Sequence, residues 1–317
     1  MPIPKKDPKP FLSYSQQIDK LINEKNLQIC DKAYAEETLK RISYFALISG
    51  YKDLYRNPTI RKYKDGTTFE EIVALYKFDE NLRELFLKYL LFIERNMRSL
   101  ISYYFTQTHG ERQIAYLTPA NYDFMKHKTS DITRLVDLLE KIANKSTEYD
   151  YINYQRDTYG NVPLWVLVNV LTFGNISKMY YCLSQSMQIK VSKNFDRINE
   201  KEMAQYLKVL SKFRNVCAHN ERLFSYHTRD SIPDTSIHQK LKIPQRGTTY
   251  INGKNDLFSV VISFRYYLPV SEYNTFKKKL THIISGFCQQ TNHITEGELL
   301  KRMGFPENWK NISRYNP

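Results

Sequence analysis

Arg214, Asn215 and His219 lie close together in the second half of the chain and combine the chemistries needed to move a proton at a phosphate. An imidazole titrates near neutrality and can act as base or as acid. A guanidinium carries a planar fork of donors that matches the non-bridging oxygens of a phosphate. An amide beside them can orient the imidazole or share the phosphate.

The element that must position them is a helix. Met203, Leu207, Leu210, Phe213 and Cys217 recur at three- and four-residue spacing and form one apolar face. At about 100° per residue, Arg214 falls inside that stripe, close to Leu210 and Cys217. An unpaired guanidinium is expensive there, so the spacing predicts a partner for it. Asn215 and His219 share a different face, and Asn220 supplies a helix end. A satisfied helix-end pair packing a dimer seam is the plainer reading of the same residues. Arg222 and His227 repeat the Arg–His spacing eight residues downstream. Apolar Leu223 follows that arginine and the pair lies beyond the helix end, so the first pair is the candidate.

Further cations are candidates for contact with phosphate: Lys212 and Arg222 around the motif, and Lys52, Arg95 and Arg98 upstream. Glu94 and Arg98, four residues apart, read most simply as a helix-face ion pair.

Helical spacing recurs along the chain. Ile18, Leu21 and Ile22 mark a first amphipathic segment after Ser13. A second runs from Asp31, an N-cap, through Phe45 to Gly50. Thr68 and Glu71 form a capping box that opens a long run to about Phe105. Ile132–Ile142 is helical, whereas polar, tyrosine-rich Ser146–Asn161 reads as an exposed loop. Pro163 opens an apolar segment, Leu164–Leu171, with Trp165 as a core anchor and Gly174 at its end. Ile176–Ile189 reads as one helix, and Thr228–Gly253 is turn-rich. Helices return over Leu257–Leu268 and Ser271–Gln290, and Thr295 with Glu298 caps a last one closed by Gly304. The expected organisation is all-α: a flexible basic lead-in over residues 1–12, then one composite helical domain over 13–317.

Composition narrows the function classes. The chain has 317 residues, with 47 Lys and Arg against 33 Asp and Glu, a net charge of +14. Such an excess favours a polyanionic partner or an anionic surface. The 25 tyrosines and 17 phenylalanines add rings able to stack on bases, although most are expected in cores. Cys30, Cys182, Cys217 and Cys288 stand far apart, against a zinc finger or a disulfide scaffold and in keeping with a reducing cytosol. The N-terminal MPIPKKDPKP lacks the apolar stretch of a signal peptide, and no apolar run approaches the length of a membrane span. The expected location is the cytoplasm. No phosphate-binding loop or dinucleotide turn is present, and no acidic or histidine cluster has metal-ligand spacing.

Arg214 and His219, with four residues between them and polar Asn215 after the arginine, resemble the R-x(4–6)-H motif of the HEPN ribonucleases. RNVCAHNERLF around it, with FALISGYKDLY at Phe45–Tyr55 and WVLVNVLTFGNIS at Trp165–Ser177, resembles the AbiD/AbiF branch of bacterial abortive-infection proteins. The resemblance implies a HEPN-like helical bundle with additional N-terminal helices. It implies a metal-independent endoribonuclease toxin of a phage-defence or toxin–antitoxin system, with no cofactor and with Arg214, Asn215 and His219 as its catalytic residues. It further implies a homodimer whose two-fold axis brings a second histidine to the cleft, and restraint by a bound, structured RNA. The alternative from another class is a noncatalytic helical RNA-binding or dimer-interaction protein.

Overall fold

A computed structural model of the chain describes residues 10–123, 128–145 and 147–315. Most of the expected basic lead-in, residues 1–9, lies outside the described residues. The architecture is all-α. In chain order the helices are α1 (Tyr14–Asn23), α2 (Lys32–Ile42), α3 (Phe69–His109), α4 (Gln113–Leu117), α5 (Thr129–Asn144), α6 (Asp150–Tyr159) and α7 (Leu164–Leu167). Then come α8 (Phe173–Cys182), α9 (Gln185–Ser192), α10 (Glu200–Ala218) and α11 (Ser236–Lys240). After a hairpin of β1 (Gln245–Arg246) and β2 (Thr249–Tyr250) follow α12 (Leu257–Tyr267), α13 (Val270–Cys288) and α14 (Glu296–Met303). The hairpin is antiparallel, pairing Gln245 with Tyr250 and Arg246 with Thr249. No helix among the described residues is long and apolar enough to cross a membrane.

Helix starts follow local chemistry. Asp31 caps α2 by accepting the Tyr34 N–H. In the box before α3, the Glu71 carboxylate accepts the Thr68 N–H at 3.1 Å and the Thr68 hydroxyl accepts the Glu71 N–H at 3.3 Å. The box predicted at Thr295 and Glu298 has the same reciprocal bonds.

Five expectations need correction. The helix predicted from Asp31 to Gly50 stops at Ile42: Ser43 has φ +71, and a π-helical turn over Phe45–Ser49 leaves Phe45 81% exposed. Ser146–Asn161 is not a loop throughout, because α6 forms within it and ends on Gly160 at φ +60. Its exposed tyrosines and single buried Ile152 hide the helical period from a reading by hydrophobicity. Trp165 is 47% exposed, while Leu164, Leu167 and Val168 carry the burial expected of that segment. Gly174 lies inside α8, which starts where the Thr172 side chain accepts the Asn175 N–H; the run after it is two helices, α8 and α9.

The described chain forms two compact units. The first comprises residues up to Asn81 with Leu280–Leu299, and the second comprises Leu82–Lys279 with residues from Leu300 onward. In the first, α1 packs on α2, and the FALISGYKDLY segment docks on the start of α3 through two tyrosines. Tyr51 donates to Asp79 at 2.7 Å and Tyr55 donates to the Glu71 carbonyl at 2.8 Å. In the second, α10 packs against α8, α9 and α12, and α5 against α4 and α8. Phe86, Tyr89 and Phe264 surround Phe276 with ring centroids 4.9–5.3 Å away, which fixes the later half of α3 in this unit.

Candidate functional site

The candidate residues sit at the end of α10, in the second unit. The helix starts on a capping box of Asn199 and Glu202 and buries Met203, Leu207, Leu210, Phe213 and Cys217, the stripe expected from the sequence. It closes as the spacing predicts. His219 is the C-cap, Asn220 takes the left-handed conformation at φ +55, and the Glu221 N–H donates to the Val216 carbonyl at 3.1 Å. That six-to-one bond is the Schellman closure, which satisfies a carbonyl the helix would leave open.

Arg214 has its partner. Its Nε donates to Glu94 Oε2 at 3.1 Å, and Glu94, on α3, is 1% exposed. The other oxygen of the same carboxylate takes the Nη2 of Arg98, which also donates to the Leu171 carbonyl. One buried carboxylate thus holds two guanidiniums, each 22% exposed. The Arg214 terminal amino groups bond no acceptor among the described residues and are not buried. This is how a fork fixed at its root presents its tips to an incoming oxyanion.

Asn215 and His219 are both exposed, one turn apart. Their side chains have no protein partner among the described residues, and the His219 N–H closes on the Asn215 carbonyl at 2.9 Å. The His219 backbone, at φ −95 and ψ 12, has left helical geometry. On an ideal helix, Arg214 and His219 would be about 140° apart around the axis. Both therefore belong to the same helix end, Arg214 within its last two turns and His219 as its C-cap.

The further cations divide. Arg98 joins the Glu94 cluster, and Arg95, next to it on α3, is exposed with its guanidinium 5.7 Å from the Phe92 ring. Lys212 points to Asp230, which Lys208 also meets at 2.7 Å. Burial works against the Asp230 charge, but the two ammonium groups hold its carboxyl below the usual range. Arg222 is half-buried in the loop after α10, and Lys52 belongs to the first unit, on a short 3-10 turn. His227 is exposed and turns its Nδ1 to the Ser225 carbonyl, so the second Arg–His spacing lies outside the helix, as expected.

Sequence reading missed the role of Glu94. The i,i+4 pair with Arg98 was visible, but the third member comes from a helix 120 residues away. The one signal was the predicted need of Arg214 for a partner. Two of the three signature segments meet here, since Leu171 belongs to WVLVNVLTFGNIS.

The family profile described as Abi-like protein matches residues 37–225, more than half of the chain and a span that includes Glu94, Arg98, Arg214, Asn215 and His219. No curated protein and no solved structure matches the chain.

Proposed function

Taking as premise that the chain belongs to the Abi-like protein family, an abortive-infection family, we propose that it is a metal-independent RNA endonuclease of the HEPN type acting in phage defence. The observation that carries this reading is the pairing of Arg214 with buried Glu94, which leaves the fork's tips open at the helix end that exposed His219 caps. The arrangement suits attack by the RNA's own 2′-hydroxyl on the adjacent phosphorus. A neutral imidazole accepts the 2′-hydroxyl proton as the 2′-oxygen bonds to phosphorus. The bond from phosphorus to the 5′-oxygen breaks, and an imidazolium returns a proton to that oxygen. The products are a 2′,3′-cyclic phosphate and a 5′-hydroxyl. Arg214 takes the charge that builds on the non-bridging oxygens, and Asn215 orients the ring or the phosphate.

Each chain brings one such histidine, so separate acid and base roles call for two copies related by a two-fold axis. A toxin of this kind needs restraint, and a structured RNA on the basic surface supplies it in our reading.

His219→Ala is the test. His219 is exposed, so its removal should change stability by less than about 0.5 kcal/mol. Cleavage of RNA by the purified variant, and its toxicity in cells, should vanish while RNA binding persists. Cleavage that survives in His219→Ala, or that depends on added Mg²⁺, overturns these roles.

A further inference from the structure

A second concavity lies in the same unit. It is an open cleft of about 500 Å³ with Phe92 and Asn96 of α3 on one wall and Arg265 and Tyr267 of α12 on another. Phe92 and Asn96 lie about 160° around α3 from Glu94, so the helix turns one face to the cleft and another to the Arg214 cluster. The volume is within the range of about 300–1,000 Å³ usual for small-molecule sites.

Two residues that line the cleft each hold a buried donor without a partner. Arg265 is 9% exposed; its Nη2 donates to the Tyr315 carbonyl at 2.6 Å and its guanidinium lies 4.8 Å from the Tyr273 ring centre. Its Nε is buried without an acceptor, its Nη1 bonds no acceptor among the described residues and is not buried, and no carboxylate among them pairs with it. The Tyr267 hydroxyl is likewise buried and unpartnered. Two further cations lie near Arg265: burial first, then Arg265 and Arg314, lower the Lys277 pKa. A guanidinium this buried, with no carboxylate paired to it among the described residues, is expensive and is relieved by an anionic ligand.

The rim supplies the rest of a recognition site. Arg197, exposed and held at φ +62, adds a second guanidinium. Phe92 offers an aromatic surface and Asn96 an amide able to read a base edge. The one carboxylate lining the cleft among the described residues, Asp196, is exposed at the rim, where it suits a ribose hydroxyl and not a phosphate.

We propose that this cleft binds a nucleotide, its phosphate against Arg265 and Arg197 and its base over Phe92. The site is separate from the Arg214 cluster and does not depend on the ribonuclease reading. A free nucleotide and the phosphorylated end of an RNA share this chemistry, and a binding measurement on the full chain tells them apart.

Isothermal titration with adenosine 5′-monophosphate, adenosine, and a 5′-phosphorylated trinucleotide is the experiment. The monophosphate should bind at least about tenfold more tightly than adenosine, the usual worth of a charge-assisted bond. Arg265→Met and Arg197→Ala should each weaken it by about tenfold or more. A trinucleotide that binds more tightly than the monophosphate, with the same sensitivity to both variants, assigns the site to an RNA end. A weaker one assigns it to free nucleotide; either result supports the site. If Arg265→Met does not fold, Arg197→Ala and Phe92→Ala carry the test, since neither residue is buried. Absence of binding at about 1 mM ligand, or binding unchanged in the folded variants, overturns the proposal.

Discussion

Replacing Glu94 by glutamine isolates the carboxylate on which the candidate site is built. The amide keeps the side-chain volume but removes the charge that two guanidiniums share, and it presents an N–H to one of them. Removing one partner of a buried ion pair costs about 3–5 kcal/mol. Glu94 is 1% exposed, but Arg98 and Arg214 are each 22% exposed and regain some hydration when released. A loss of about 2–3 kcal/mol is therefore expected, because solvent screens the arginine side of the pair. At roughly 2–4 °C per kcal/mol for a unit of this size, the melting temperature should fall by roughly 5–10 °C. Arg214 also loses the acceptor that fixes its Nε, and a displacement of about 1 Å at such a group costs about 10²-fold in rate.

Two measurements separate structure from positioning. Thermal unfolding by circular dichroism reads the stability term, and RNA cleavage well below the transition reads the rate in folded protein. Glu94→Asp keeps the charge on a shorter arm, so it should recover much of the stability while the rate stays low. Stability unchanged within about 0.5 kcal/mol would show that the carboxylate is not the anchor inferred from its burial. Full cleavage in a folded Glu94→Gln protein would show that Arg214 does not act from this position.

Two further outcomes follow from the packing. In the first unit the His293 Nδ1 lies 2.9 Å from the Glu71 carboxylate and its Nε2 lies 2.9 Å from the Asp65 carbonyl, so both ring nitrogens donate and the imidazolium is held. The hydrogen bond to Glu71 raises the His293 pKa despite burial, so its stabilisation is full below about pH 6.5 and fades as pH rises through the raised value. Burial alone would raise the Glu71 carboxyl, but bonds from His293, Thr68, Asn292 and Thr291 lower it, so its contribution fades only as pH falls below about 4.5. Urea midpoints measured from about pH 5 to 8 should decline on the alkaline side, and His293→Gln should flatten that decline; an equal slope in both proteins refutes the linkage. Gly304 sits at φ +78, and a Cβ there would lie 2.2 Å from Asp256 Cγ. Gly304→Ala should destabilise the second unit by about 2–4 kcal/mol through backbone strain and overpacking, and an unchanged urea midpoint would contradict it.

The parts of this molecule legible in the sequence are those settled within one or two turns. Thr68 with Glu71, Thr295 with Glu298, Asp31, and the Asn220 closure of α10 each state a bond between residues a few positions apart, and each bond forms. The apolar face of α10 was legible for the same reason. Ser43 breaks the predicted second helix with φ +71, and no glycine or proline marks the place. Helix α6 is concealed by exposed tyrosines, because a surface helix with one buried residue has almost no hydrophobic period. Residue type alone places Trp165 in the core, but burial in that short segment is decided by which side meets α5, a tertiary fact.

The Glu94 cluster shows why the remaining step matters for function. An arginine near a helix end and a carboxylate near an arginine are each ordinary surface features, and the sequence presents them as two unrelated pairs. Folding places the carboxylate between both guanidiniums, so one negative charge at 1% exposure answers two positive ones, each 22% exposed. A purely structural pair would be neutral, since an extra buried charge gains no stability. Arg98 spends its second contact on the Leu171 carbonyl, a neutral acceptor, so the excess is not cancelled there. Arg214 has no second acceptor among the described residues, and its fork's tips are not buried, on the helix that His219 caps. In the proposed reading that positive charge meets the phosphate of an RNA backbone, which brings with it the hydroxyl on which the His219 ring acts.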